Sequence, residues 1–244
     1  MMDLHAVDVV ILAGGQGERL RSVVNDRSKV LAAVDGRPFI SYLFDQLCVS
    51  GIRQVTLATG YLGEDIESTL GVAYKNLRIQ YSMEDEPLGT GGAVRKAADV
   101  AHGEWALVLN GDSFVDIDFR DFLGVHQAKK QQISIAVVTV KNASRYGSLA
   151  IGSEGKITAF NEKKMDRSDL PGLINAGVYL IHWSLLRALP DHTQCSLERQ
   201  FFPSQIAKGI YGYRTKGEFI DIGTPETLTS ASEFFRHRDP AVGK

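Results

Sequence analysis

Very little in this chain points to covalent staples, membranes or polyanions. Among its 244 residues there are only two cysteines, Cys48 and Cys195, far apart and without a Cys-x-x-Cys spacing. That pattern indicates neither a disulfide framework nor a zinc site. The apolar segment Val9 to Ala13 has no cationic start and is far shorter than the ~20 residues a membrane span needs. The chain is therefore expected in the cytoplasm, with no membrane partner. Lys and Arg number 27 against 29 Asp and Glu, a formal net charge of -2, so no broad basic surface is available for nucleic acid. Phosphates, if bound, must be held by a few local residues. With only 7 prolines and no Pro/Ser-rich linker, repeat or low-complexity segment, residues 1–244 read as one folded unit. The 44% of hydrophobic residues is enough for a sizeable core.

Within that unit the pattern is α/β. Val7 to Ala13 is nearly all apolar and ends in Gly14-Gly15, as a strand buried on both faces does before a backbone-exposing loop. Phe39, Ile40, Leu43, Phe44 and Leu47 recur at helical spacing after Pro38, and Gly51 is placed to end that helix. Strands at 55–58, 78–82 and 105–109 alternate with helices at 64–70, 92–101 and 119–128, which implies a doubly wound, mostly parallel sheet. From about residue 131 onward the segments 133–140, 148–151, 156–161 and 173–182 are strand-like, with Ser153-Glu154-Gly155 as a hairpin turn, so the second half is more antiparallel. A closing helix is expected near 225–236. Ligands of such sheets collect beyond the carboxyl ends of the strands.

Several motifs fall at those ends. Gly14-Gly15-Gln16-Gly17-Glu18-Arg19-Leu20 follows the first strand; glycines let backbone N–H groups converge on a phosphate, and an arginine adds charge-assisted hydrogen bonds. It is neither a Walker loop nor a dinucleotide fingerprint, and a tight turn with a surface arginine is the alternative. Lys29 leads into an apolar stretch and, taken alone, reads first as a solvated surface lysine. Glu84-Asp85-Glu86-Pro87-Leu88-Gly89-Thr90-Gly91-Gly92 is an acidic loop whose glycines would let a flat base lie against backbone. Asp112 and Asp221 each end an apolar strand, where Mg²⁺ can use one or two carboxylates and complete its shell with phosphates and water; a turn or cap is the competing role.

Taken in order, these blocks resemble the sugar-phosphate nucleotidylyltransferase family: Leu12-Ala13-Gly14-Gly15-x-Gly17-x-Arg19-Leu20, Lys29, Pro87 to Ala93, Asn110-Gly111-Asp112, Tyr146-Gly147, Glu162-Lys163, Asn175 to Tyr179 and Asp221 to Pro225. The likeness covers about residues 7–236 and is nearest to the D-glycero-D-manno-heptose 1-phosphate guanylyltransferases, through Tyr81 to Ala93 and Gly172 to Gly177, with mannose 1-phosphate guanylyltransferases similar over the same blocks. Glu18 stands where the family usually has Thr, and Ser28 where it has Pro.

The resemblance implies a Rossmann-like nucleotidyltransferase fold, with a nucleotide-binding half at about 1–130 and a sugar-binding half at about 131–244. It implies attack by an oxygen of a sugar 1-phosphate on the α-phosphorus of an NTP, with Mg²⁺ as cofactor and no enzymic nucleophile. Arg19, Lys29 and Asp112 would be catalytic. Leu12, Ala13, Gly14, Gly15, Gly17, Glu84, Gly89 and Thr90 would surround the nucleotide, Gly147, Glu162, Lys163 and Asn175 the sugar phosphate, and Asp112 and Asp221 the metal. GTP is the expected nucleotide, because Glu84 stands where thymidylyl and uridylyl relatives typically have glutamine, and a carboxylate can accept from both donors on one edge of guanine. The product would be a GDP-heptose for surface polysaccharide synthesis, with mannose 1-phosphate guanylyl transfer, or uridylyl or thymidylyl transfer, as alternatives. A glycosyltransferase would more often carry Asp-x-Asp where Asn110-Gly111-Asp112 has one carboxylate. A non-catalytic nucleotide-sugar sensor could have lost Arg19, Lys29 or an aspartate, all of which are present. Homo-oligomerisation is left open.

Overall fold

A computed structural model describes residues 6–15, 17, 20, 27–143, 145–161 and 170–238. β1 (Val7–Leu12) leads through a 3₁₀ turn at Lys29–Leu31 and the small hairpin of β2 (Ala33–Val34) and β3 (Arg37–Pro38) into α1 (Ile40–Ser50). Then follow β4 (Gln54–Thr59), α2 (Gly63–Leu70), β5 (Ala73–Tyr74), β6 (Leu77–Met83), α3 (Gly89–Ala97), β7 (Trp105–Asn110), β8 (Ser113–Val115) and α4 (Phe119–Lys129). The second half holds β9 (Ile133–Val140), β10 (Ser148–Ile151), β11 (Ile157–Asn161), β12 (Gly172–His182), α5 (Trp183–Arg187), a π-helical turn at Leu197–Phe201, α6 (Phe202–Gln205), β13 (Tyr211–Arg214), β14 (Phe219–Asp221) and α7 (Pro225–Arg236).

The sheet order is β11-β10-β12-β7-β1-β4-β6-β5, with β9 branching from β12 and β13 pairing β9. β7, β1, β4 and β6 form a parallel centre. β12, β10 and β11 continue it antiparallel, so the sheet changes character at the halfway point that the sequence marks. β12 lies against β7 from Val178 to His182 and against β9 from Gly172 to Ile181, with a register shift between Asn175 and Tyr179.

Alternation along the central strands divides the core between the two faces of the sheet. Val9 and Ile11 pack with Leu107, Phe39, Phe44 and Phe122 on one side, while Val10 packs with Val108, Val94, Tyr179 and Trp183 on the other. The helix ends follow local chemistry. Gly51, in the left-handed region at φ 92°, terminates α1. Asp118 caps α4 by accepting from the amides of Arg120 and Asp121. Thr224 and Thr227 form a reciprocal capping box ahead of α7, with Pro225 in its first turn.

Candidate functional site

The carboxyl ends of β1, β6 and β7 open onto a cavity of about 670 Å³, a volume suited to a nucleotide-sized ligand. Leu12, Ala13, Gly14, Gly15 and Gly17 line one wall. Glu84, Gly89 and Thr90 form the second, and Lys29, Asn110 and Asp112 the third. Ten of the expected residues thus meet around one space although they are spread over a hundred positions of sequence.

The first loop shows where room has been left for a ligand. A Cβ on Gly14 would lie 3.0 Å from the amide nitrogen of Gly60, so there the protein's own packing leaves little room for a side chain. Among the described residues a Cβ on Gly15 would meet nothing within 4 Å, and Gly15 borders the open cavity. The glycines of the later loop divide differently. Gly89 borders the cavity, but Gly91 and Gly92 are buried against another segment: added Cβ atoms would come within 3.1 Å of the Cys195 carbonyl and 2.7 Å of the Thr193 carbonyl. The reading of these two glycines as a platform for a base is corrected accordingly, since they seat residues 193–197 instead.

Glu84 is half-buried on the cavity wall, whereas Asp85 and Glu86 are exposed. Its Oε2 accepts the Leu88 amide at 2.7 Å. Burial pushes its carboxyl above the usual glutamate value, opposed by that amide and by Lys96. The side chain therefore stands apart from the solvated acidic run around it.

At the third wall, Lys29 Nζ is 2.6 Å from Asp112 Oδ2, with the lysine side chain only 11% exposed. Asp221 reaches the same region through two short strands: β8 and β14 pair antiparallel with Ser113 opposite Asp221, and the Ile222 amide donates to the Asp112 carbonyl at 2.9 Å. Asp221 Oδ1 accepts from the Gly223 amide at 2.6 Å, and Oδ2 accepts from the Tyr146 hydroxyl, with Arg145 Nη2 at 3.7 Å. Asp221 does not line the cavity itself, but Gly223 does. Among the described residues no group of three or more His, Cys, Asp or Glu could hold a metal ion. Two hard oxygen donors fit a cation that takes one or two carboxylates and draws its other ligands from phosphates and water.

Gly147 and Asn175 lie outside the cavity lining. Gly147 adjoins the Asn161 carbonyl just before β10. Asn175 sits at the irregular stretch of β12, its Oδ1 accepting the Gly177 amide at 2.9 Å and its Nδ2 donating to the Tyr179 hydroxyl at 2.9 Å. That hydroxyl donates to Glu198 Oε1 at 3.2 Å, and Thr90 on the cavity wall donates to Glu198 Oε2 at 2.8 Å. Nothing in the sequence motifs singles out Glu198 or its neighbour Ser196. Their signal was faint: a Ser-x-Glu placed as a helix start, with nothing in the linear order to tie it to Thr90. Arg19, Glu162 and Lys163, expected at the triphosphate, the sugar hydroxyls and the sugar phosphate, lie outside the described residues.

Comparison with known proteins follows the same outline. Residues 8–238 match the model of a family described as nucleotidyl transferase. The D-glycero-alpha-D-manno-heptose 1-phosphate guanylyltransferase of Aneurinibacillus thermoaerophilus is 36% identical over 95% of this chain and 99% of its own length. The mannose-1-phosphate guanylyltransferase of Mycobacterium tuberculosis is 32% identical over 95% of this chain, but only 65% of its own length is covered. Among solved structures, HddC from Yersinia pseudotuberculosis complexed with GMP-PN is 33% identical, with a TM-score of 0.82 over 93% of this chain and 99% of that one.

Proposed function

We propose, since the chain belongs to the nucleotidyl transferase family, that it transfers GMP from GTP to a sugar 1-phosphate, releasing pyrophosphate. An oxygen of the sugar phosphate attacks the α-phosphorus in line with the departing pyrophosphate. The attacking group is already anionic, so the protein's task is placement and charge neutralisation rather than supply of a nucleophile.

The observation that carries this reading is the convergence of Gly15, Lys29, Glu84 and Asp112 on one cavity. Backbone amides of the Gly14-Gly15-x-Gly17 loop face the triphosphate, assisted by Arg19. Lys29 neutralises charge on the phosphates. Asp112 and Asp221 would hold Mg²⁺, which when bound would draw charge from the phosphate oxygens. Glu84 accepts from the ring N–H and exocyclic amine of guanine, with Leu12, Ala13, Gly89 and Thr90 beside the base and ribose. Lys163 holds the acceptor's phosphate, while Gly147, Glu162 and Asn175 meet its sugar.

For the acceptor, D-glycero-α-D-manno-heptose 1-phosphate is preferred, and the product is then a GDP-heptose for surface polysaccharide. Its support is the likeness along the whole length of the heptose enzyme. Mannose 1-phosphate is the second reading, supported by the similarity to the mannose enzyme. The reaction is placed in the cytoplasm, where GTP is made and used, and its two halves act as one domain. Pyrophosphate release measured with GTP, UTP, dTTP and CTP, each crossed with heptose, mannose and glucose 1-phosphates, tests the reading. The highest kcat/KM is expected for GTP with the manno-heptose; a higher value for another pair replaces that assignment.

A further inference from the structure

We infer that Glu198 is a positioning residue that holds the nucleotide loop, through Thr90, and the sugar strand, through Tyr179 and Asn175, at one fixed mutual setting. The inference rests on the proposed reaction, in which those two elements carry the two substrates.

Glu198 lies on the π-helical turn Leu197–Phe201, closed by the Phe201 amide donating to the Ser196 carbonyl at 3.0 Å. Such turns are uncommon and recur at functional sites. The segment leading into it is fastened to the nucleotide loop at three points: Cys195 donates to the Leu88 carbonyl at 2.8 Å, Gly91 donates to the Cys195 carbonyl at 2.8 Å, and Leu197 donates to Thr90 Oγ1 at 2.8 Å. The bare faces of Gly91 and Gly92 make this approach possible.

From there the carboxylate dictates the direction of every bond. A carboxylate only accepts, so Thr90 and Tyr179 must both donate to it. Thr90 is then left to accept from the Leu197 amide, and Tyr179 to accept from Asn175 Nδ2. With its amide nitrogen so engaged, Asn175 turns its carbonyl to the Gly177 amide. The Tyr179 ring cannot drift: it is fully buried and packs against Phe202 at 5.0 Å between centroids. Burial and the nearby Glu198 charge both keep its hydroxyl protonated, as a donor must be. Three bonds thus connect the cavity wall to a residue of β12 that is 85 positions away in sequence, and in-line transfer is sensitive to displacements of about 1 Å.

Glu198→Gln places an amide donor among these hydroxyls and breaks the order of donors, while Tyr179→Phe removes two of the three bonds and keeps the ring. Steady-state kinetics and hydrogen exchange of both variants test the inference. Expected are a fall in kcat of at least about tenfold with each KM within about threefold, faster exchange at both 88–92 and 174–178, and non-additive losses in the double variant. Unchanged kcat overturns it, as does a rise in one KM alone or faster exchange in only one of the two segments. A kcat loss that merely follows a fall in Tm also overturns it, in favour of a stabilising role. If the unaltered protein releases no pyrophosphate with any substrate pair, the proposed reaction fails, and the exchange measurement still decides whether Glu198 joins the two segments.

Discussion

Ser113 stands opposite Asp221 in the β8–β14 ladder, and this single register pair brings Asp221 alongside Asp112, more than a hundred residues earlier in the chain. Asp112 is paired with Lys29, and Asp221 is held by Tyr146 and the Gly223 amide. Both carboxylates are thus held by the protein's own groups, Asp112 by an ammonium and Asp221 by a hydroxyl and an amide.

Asp112→Asn and Asp221→Asn are each expected to lower turnover by several orders of magnitude, because each removes a ligand charge and keeps the volume. An asparagine at 112 still accepts from Lys29, so stability should fall by only about 1 kcal/mol. Steady-state rates at saturating Mg²⁺, alongside thermal unfolding, check both parts. Near-normal turnover in either variant removes that residue from the metal site.

Glu84→Gln should weaken GTP use and improve UTP or dTTP relative to it. The amide presents a donor where guanine also has donors, a mismatch of on the order of 1–3 kcal/mol. Because burial raises the Glu84 carboxyl, the preference for GTP should begin to fade on acidification at a pH where an ordinary glutamate is still ionised. Competition between GTP and UTP at a series of pH values reads both effects. A preference indifferent to the substitution dissociates Glu84 from the base.

Gly15→Ala and Gly92→Ala should fail in opposite ways. The Cβ at 15 enters open cavity, so the protein should fold normally and show a raised KM for nucleotide. The Cβ at 92 would lie 2.6 Å from Leu88 Cβ and 2.7 Å from the Thr193 carbonyl, so stability should drop by about 1–3 kcal/mol. Chemical denaturation and nucleotide titration of the pair separate the two. Equal stability in both variants contradicts the division of the glycines into ligand-facing and packing roles.

His126 supplies a pH dependence of stability. It is 1% exposed, its Nδ1 lies 2.7 Å from Ser134 Oγ, and desolvation, aided by His182, lowers its pKa to about 4. A histidine depressed from about 6.5 is neutral in the fold and protonates first when unfolded. Its contribution is complete above pH 6.5 and is lost as pH falls towards 4, by on the order of 3 kcal/mol. His126→Phe keeps a ring against Trp105 and should flatten the dependence of Tm on pH between those limits. Parallel curves for the two proteins would show that His126 does not titrate on unfolding.

Much of this architecture could be read from residue order. β1 and α1 announce themselves because a strand buried on both faces must be apolar throughout, and a helix on a sheet must repeat Phe39, Leu43 and Leu47 on one face. β8 could not be read that way, and β14 showed only as the apolar residues ahead of Asp221, since three residues are too few to show a period and the importance of the pair lies in register. The expected residues Leu12, Gly15, Lys29, Glu84, Thr90 and Asp112 do share a cavity. What the chain order concealed was Glu198, whose partners Thr90 and Tyr179 come from segments that only folding brings together.

The strand β12 carries one further consequence. It is hydrogen-bonded along one edge to β7, from the first half of the chain, and along the other to β9, from the second. Swinging the halves apart like the jaws of a clamp would require tearing a ladder of backbone bonds through the middle of the sheet. Admission of the acceptor and escape of the finished nucleotide sugar therefore belong to the connections above the strands, over a floor that does not bend.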